Sequence, residues 1–172
     1  MPVAAGEVVA AVAGTSWDAF VRQRLLLPLG MSRSATSMAV RADNVAAPHL
    51  ELKGVVGPIA PMDFGNAGAA AGISSSASDL ARWLTMLLEC GRDEEARAGR
   101  TCVLKPESIR RMWSSQTVLG TPDPPPGLEP LKANFAAYGL GFGLRDYRGR
   151  KVVSHTGGLP GYVSQVALVP EE

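Results

Sequence analysis

Leu80, Trp83, Leu84, Leu87 and Leu88 hold the i, i+3, i+4, i+7, i+8 spacing of one helical face, the most regular apolar pattern in the chain. Ser76 with Asp79 three residues later is a capping-box pair at its start, and Gly91 ends it. Upstream, residues 3–13 are small and apolar and stop at Gly14, while Thr15 with Asp18 predicts the cap of a second helix. That helix carries Trp17, Phe20, Val21 and Leu25 on one face, is stopped by Pro28, and leaves through the tight exit Pro28-Leu29-Gly30-Met31. Lys105-Pro106-Glu107 opens a shorter helix with proline at its first position and Ile109, Met112 and Trp113 on one side. Near the carboxy terminus the period changes to two. Residues 138–144 alternate large and small, Arg148-Gly149 offers a turn, residues 151–155 return, and residues 162–169 alternate again, which predicts antiparallel strands.

Between these elements, residues 32–71 lose periodicity and collect Pro48, Pro58 and Pro61, the mark of a long irregular excursion with room for a short strand or two. Residues 121–130 hold five prolines and predict a surface loop. The chain therefore divides into a mainly helical part over 1–120, a proline-rich loop over 121–130 and sheet strands over 135–172. Helices followed by antiparallel strands define an α+β class, with no internal repeat.

With 172 residues, 46% of them hydrophobic, the chain is long enough for one sizeable core. A net charge of +1 with scattered Lys and Arg excludes a nucleic-acid surface, and the charged stretch 92–100 interleaves both signs, as a solvated face does. Cys90 and Cys102 make no zinc spacing and no CxxC. They are read as free thiols, with a disulfide across the intervening loop as the alternative in an exported protein. The first residues resemble a signal peptide only superficially, because a basic start is missing and Glu7 interrupts the apolar stretch. No segment is long enough to span a membrane, and no cofactor or metal is expected.

The chemistry sits at His155-Thr156-Gly157-Gly158. A glycine pair directly after a strand lets a ligand approach without Cβ interference and leaves amide N–H groups to face a developing oxyanion. Other candidates have plainer readings. Ser74, Ser75 and Ser76 lack the Gly-x-Ser-x-Gly elbow and suit helix capping, His49 follows Pro48 as a loop residue, and Trp17, Trp83 and Trp113 sit on apolar helical stripes that suit core packing.

Four blocks together carry a family resemblance: Gly14-Thr-Ser-Trp-Asp-Ala-Phe20 ending in Pro28-Leu-Gly-Met31, Gly68-Ala-Ala-Ala-Gly72-Ile-Ser-Ser-Ser-Ala-Ser-Asp79-Leu-Ala-Arg-Trp83, Tyr138-Gly-Leu-Gly141, and His155-Thr-Gly-Gly with Pro160-Gly161. In this order they resemble the serine β-lactamase and penicillin-binding-protein-like hydrolases, closest to the class C β-lactamase, D-alanyl-D-alanine carboxypeptidase and esterase branch. The resemblance implies a β-lactamase/transpeptidase-like fold, here a helical lobe plus part of an antiparallel sheet, truncated at both ends. It also implies acyl-enzyme hydrolysis of a small-molecule or peptide substrate such as a β-lactam, a D-Ala-D-Ala peptide or a short-chain ester.

That family uses a serine one helical turn before a lysine, a tyrosine two residues before an asparagine, and a Lys/His-Thr/Ser-Gly strand. Only the third has a match here. His155 takes the cationic or hydrogen-bonding position as the catalytic candidate; Thr156 and Gly157 complete the triplet; Gly158 offers the oxyanion N–H; Tyr162 borders the pocket. Leu50, Cys102, Glu129 and Arg148 precede the four lysines by three, so no Ser-x-x-Lys exists, and no tyrosine is followed two later by asparagine. The expectation is a fragment of a serine hydrolase, itself inactive, with a non-catalytic ligand-binding remnant of the same fold as the alternative. Many relatives are exported, so the compartment stays open.

Overall fold

The computed structural model describes residues 1–37, 43–92 and 97–170, so the acids of the 92–100 stretch and the terminal pair 171–172 lie outside the described residues. The chain forms two compact units, Met1–Trp83 with Gly157–Val163, and Leu84–Thr156 with Ser164–Glu172.

In the first unit, helix α1 (Pro2–Ala13) ends on Gly14, whose φ of 65° gives the left-handed C-cap a glycine adopts without Cβ strain. Gly6 is its one buried residue. A Cβ there would lie 2.4 Å from the Ala69 Cβ of α3 (Gly68–Ala71), so the two helices cross at a pair of small residues. Helix α2 (Trp17–Val21) is capped by Ser16, whose Oγ accepts from the Ala19 N–H at 3.2 Å. The Thr15–Asp18 box is thus corrected by one residue. A π-turn over Arg22–Leu26 follows, with the Leu27 N–H donating to the Arg22 carbonyl at 3.0 Å. The extra residue in the turn sets Leu26 beside Val21, and these two form a buried cluster with Met31, packed by Trp17, Leu25, Leu29 and Trp83.

The excursion contains the short strands β1 (His49–Leu52) and β2 (Val55–Pro58), joined by Lys53-Gly54 with φ values of 52° and 81°. His49 therefore opens a strand, and its Nδ1 lies 2.9 Å from the Ala47 carbonyl.

Helix α4 (Ala77–Cys90) runs through both units. Ser76 Oγ accepts from the Asp79 N–H at 3.3 Å, which is half of the expected box. The Asp79 carboxylate, nearly fully buried, accepts instead from the Arg33 N–H and the Ser34 hydroxyl, both at 2.8 Å. Of the expected stripe Leu87 is fully buried, while Leu80, Trp83, Leu84 and Leu88 are half-buried; the other buried positions are Asp79, Met86 and Cys90, so the inward face is rotated relative to the apolar pattern.

In the second unit Cys90 and Cys102 form a disulfide with Cα atoms 5.7 Å apart, which corrects the reading as free thiols. Helix α5 (Pro106–Met112) begins on proline and buries Ile109 and, just past its end, Trp113. The strands β3 (Thr117–Leu119), β4 (Ala136–Tyr138), β5 (Gly143–Tyr147), β6 (Arg150–Leu159) and β7 (Tyr162–Leu168) form a sheet in sequence order, antiparallel from β3 to β6. Leu144 faces Val153 across β5 and β6, and both are buried. Most of the proline-rich loop is exposed.

Residues 138–144 are not one strand. The Gly139 N–H donates to the Phe142 carbonyl at 2.8 Å and the Leu140 N–H to Met112 at 3.2 Å, so the backbone leaves the ladder to satisfy a carbonyl at the end of α5. A Cβ on Gly139 would stand 2.2 Å from that Met112 oxygen.

Candidate active-site strand

The hairpin that presents the candidate residues is set by two turns. Arg148 and Gly149, with φ values of 52° and 78°, both take the left-handed conformation that a two-residue β5–β6 turn requires, and Tyr147 pairs with Arg150. Pro160 and Gly161 close the β6–β7 turn, with Gly161 at a φ of 78°, the proline-then-glycine arrangement of a type II turn.

Within β6 the pairing with β5 ends at Ser154, opposite Gly143. His155 through Leu159 continue past their β5 partner, so this backbone edge is free of the β5 ladder. The glycine pair therefore lies inside the strand, where the sequence pattern placed it after the strand's end. A Cβ at Gly158 would meet nothing within 4 Å, so the space over that residue is open.

His155 and Thr156 are exposed, Gly157 is half-buried and Gly158 exposed. The imidazole of His155 stands edge-on to Phe142, ring centroids 6.4 Å apart at 77°. Phe142 itself is buried. The ring thus has an aromatic neighbour while the residue as a whole stays exposed. Phe142 is the neighbour the sequence reading did not single out, because only the Gly139–Phe142 turn brings it there.

Tyr162 is half-buried and its hydroxyl donates to the Ala46 carbonyl at 2.9 Å. The Gly161 carbonyl accepts from the His49 N–H at 3.2 Å, and a Cβ on Gly161 would sit 2.5 Å from Pro48 Cβ. The segment 46–49 thus grips the turn that follows the candidate strand.

A cleft of about 320 Å³ in the second unit is lined by residues of α4, α5 and β6, including Arg110, Trp113 and Lys151. None of His155, Thr156, Gly157, Gly158 or Tyr162 lines it. Lys151 Nζ donates to the Trp113 carbonyl at 2.6 Å, while the Trp113 indole N–H is buried and has no hydrogen-bond partner among the described residues. Also among the described residues, no group of three or more His, Cys, Asp and Glu side chains could hold a metal ion, and no helix is long and apolar enough to cross a membrane.

The mixed helical and antiparallel architecture is similar to that of the serine β-lactamase and penicillin-binding-protein-like hydrolases. The chain matches the family model described as Beta-lactamase over residues 3–172 and belongs to that family. It is 31% identical over 156 residues to the unguisins hydrolase ungD' of Aspergillus campestris (strain IBT 28561), covering 87% of this chain and 26% of that protein. Its fold is similar to the octameric penicillin-binding protein homologue of Pyrococcus abyssi, with a TM-score of 0.73 and 24% identity over 96% of this chain and 34% of the other. A D-stereospecific amidohydrolase from Streptomyces sp. gives a TM-score of 0.68 at 20% identity, over 97% of this chain and 44% of the other. The chain thus spans about a quarter of the curated relative and less than half of either solved structure.

Proposed function

We propose that this chain is one part of a serine hydrolase that forms an acyl-enzyme on an amide or ester, and that its β6 strand supplies one wall of the active site. The observation that carries the proposal is the exposed His155-Thr156-Gly157-Gly158 edge, which runs beyond its β5 partner and leaves open space above Gly158. An amide N–H at Gly158 is suited to stabilise a tetrahedral oxyanion, and such a donor is typically worth about 3 kcal/mol to the transition state. His155 offers a hydrogen bond to a substrate carboxylate or to a neighbouring tyrosine, and Thr156 a hydroxyl beside it. Tyr162 borders this wall through the turn that it helps to fix. The substrate classes that fit are β-lactams, D-Ala-D-Ala peptides and short-chain esters; the similarity to a D-stereospecific amidohydrolase favours amides.

The nucleophile and its base lie outside these 172 residues, since no Ser-x-x-Lys or Tyr-x-Asn is present. The surface of α1 supports the same reading. Val8 and Val12 are 62% and 83% exposed on a helix whose one charged residue is Glu7, and so apolar a surface is suited to packing against a larger body.

Fluorophosphonate labelling, combined with chromogenic β-lactam and p-nitrophenyl ester assays, tests the proposal on the purified chain. No labelled serine and no turnover above background are expected. A serine acylated by the probe would overturn the assignment of the nucleophile to residues beyond this chain.

A further inference from the structure

We propose that the Cys90–Cys102 bond is a maturation site, made by exchange with a disulfide-carrying oxidant, and that the seating of α4 against α5 depends on it. Cys90 is fully buried at the carboxy-terminal end of α4, on the same face as Met86 and Leu87. Cys102 is half-buried in the segment that leads into α5. The two are twelve positions apart in sequence. Next to Cys90, Gly91 lies against the second helix: a Cβ there would stand 3.0 Å from Ile109 Cγ2 and 3.2 Å from the Trp113 ring. The covalent bond therefore joins the end of one helix to the approach of the other at their point of contact.

Little else in the described part of the intervening loop could do this. Arg92, Ala98, Gly99, Arg100 and Thr101 are exposed and bury little apolar surface, and Arg97 is half-buried with its Nε buried but without a hydrogen-bond partner among the described residues. The ion pair of Arg100 with Glu89, at 3.0 Å, is solvent-exposed on the arginine side, and pairs of that kind contribute little. The Arg110 guanidinium reaches the Gly91 carbonyl only at 3.4 Å.

The chemistry balances with one equivalent of a low-molecular-weight or protein disulfide. The more accessible Cys102, as thiolate, attacks one sulfur of the oxidant and expels the other as a thiol, giving a mixed disulfide. Cys90, having lost its proton, then attacks Cys102 Sγ, forming the internal bond and releasing the second thiol. Two protein thiols are oxidised and one external disulfide is reduced. An oxidising compartment sustains that exchange and a glutathione-reducing one reverses it, so the bond assigns maturation of this chain to the former.

The test folds the chain in a mixture of oxidised and reduced glutathione, then alkylates it under denaturing conditions without reductant and weighs it. The expected result is no alkylation and a cross-linked peptide pair joining Cys90 to Cys102. Adding dithiothreitol to the folded protein should expose two alkylatable thiols, lower the melting midpoint by about 10 °C and speed tryptic cleavage after Arg100. A C90A/C102A double variant should melt at the reduced protein's temperature and ignore dithiothreitol; if it fails to fold, reductant titration of the unmodified chain decides. Two free thiols in the oxidised preparation, or a melting midpoint indifferent to reductant, would overturn the proposal.

Discussion

Two hairpins in this chain are built on the same turn and differ in almost everything else. Lys53-Gly54 and Arg148-Gly149 both place two residues at positive φ, and both join antiparallel strands in direct register. The β5–β6 hairpin buries Leu144 and Val153. The β1–β2 hairpin buries nothing fully, and Leu52, Val55 and Val56 are each more than 60% exposed. Turn chemistry thus selects the shape of a hairpin, while stability comes from the face it can bury, at about 2 kcal/mol for each fully buried large aliphatic side chain.

The contrast can be broken most severely in the buried hairpin. Leu144→Ala should cost about 2–5 kcal/mol in denaturant unfolding, whereas Val56→Ala in the exposed one should stay within about 0.5 kcal/mol. Equal losses would remove the distinction. Gly161→Ala should cost about 1–3 kcal/mol, because the added methyl meets Pro48 and the backbone there is left-handed. The readout is the melting midpoint together with exchange of the His49 amide.

The matched pair Gly149→Ala and Gly54→Ala introduces the same left-handed strain, about 1–2 kcal/mol, into both turns. Only the first should lower the global melt; the second should appear as local amide exchange in β1 and β2. Tyr162→Phe removes one hydrogen bond to the Ala46 carbonyl, and about 1 kcal/mol with faster exchange around residues 46–49 is expected.

The smallest effect is a pH dependence confined to the buried hairpin. The side-chain hydrogen bond from Asn134, with further bonds from the Phe135 and Asn134 backbone N–H groups, holds the Asp146 carboxyl below its usual range. A depressed folded value means that the support is present above the ordinary aspartate value and fades as pH falls through the lower one. Amide protection at Asn134 and Phe135 should therefore drop below about pH 4, and Asp146→Asn should abolish that drop.

The two hairpins were not equally legible in the sequence. Arg148-Gly149 stands between stretches that alternate, because one face is buried and the other is not. Lys53-Gly54 ends an alternation of only four residues, Leu50-Glu51-Leu52-Lys53, and adjacent Val55 and Val56 break the pattern on the return. The α4 periodicity announced the helix but not its orientation, since the Asp79 hydrogen bonds and the Cys90 bond to distant residues and rotate the inward stripe. The π-turn at Arg22–Leu26 left no local signal, and its reward is tertiary, in the Leu26 contact with the core. At the candidate strand, His155-Thr156-Gly157-Gly158 was visible as a pattern of residue types. Its neighbours Phe142 and the 46–49 grip depend on a broken strand and on chain returning from more than a hundred residues away.

Trp113 offers an optical handle on the junction between α4 and α5. Its indole N–H is sealed from water and has no partner among the described residues, and the ring abuts Gly91. A chromophore so placed emits toward the blue and moves to the red when water reaches it. With Trp17 and Trp83 replaced by Phe, loosening of that junction would show as a colour change in fluorescence, without a label.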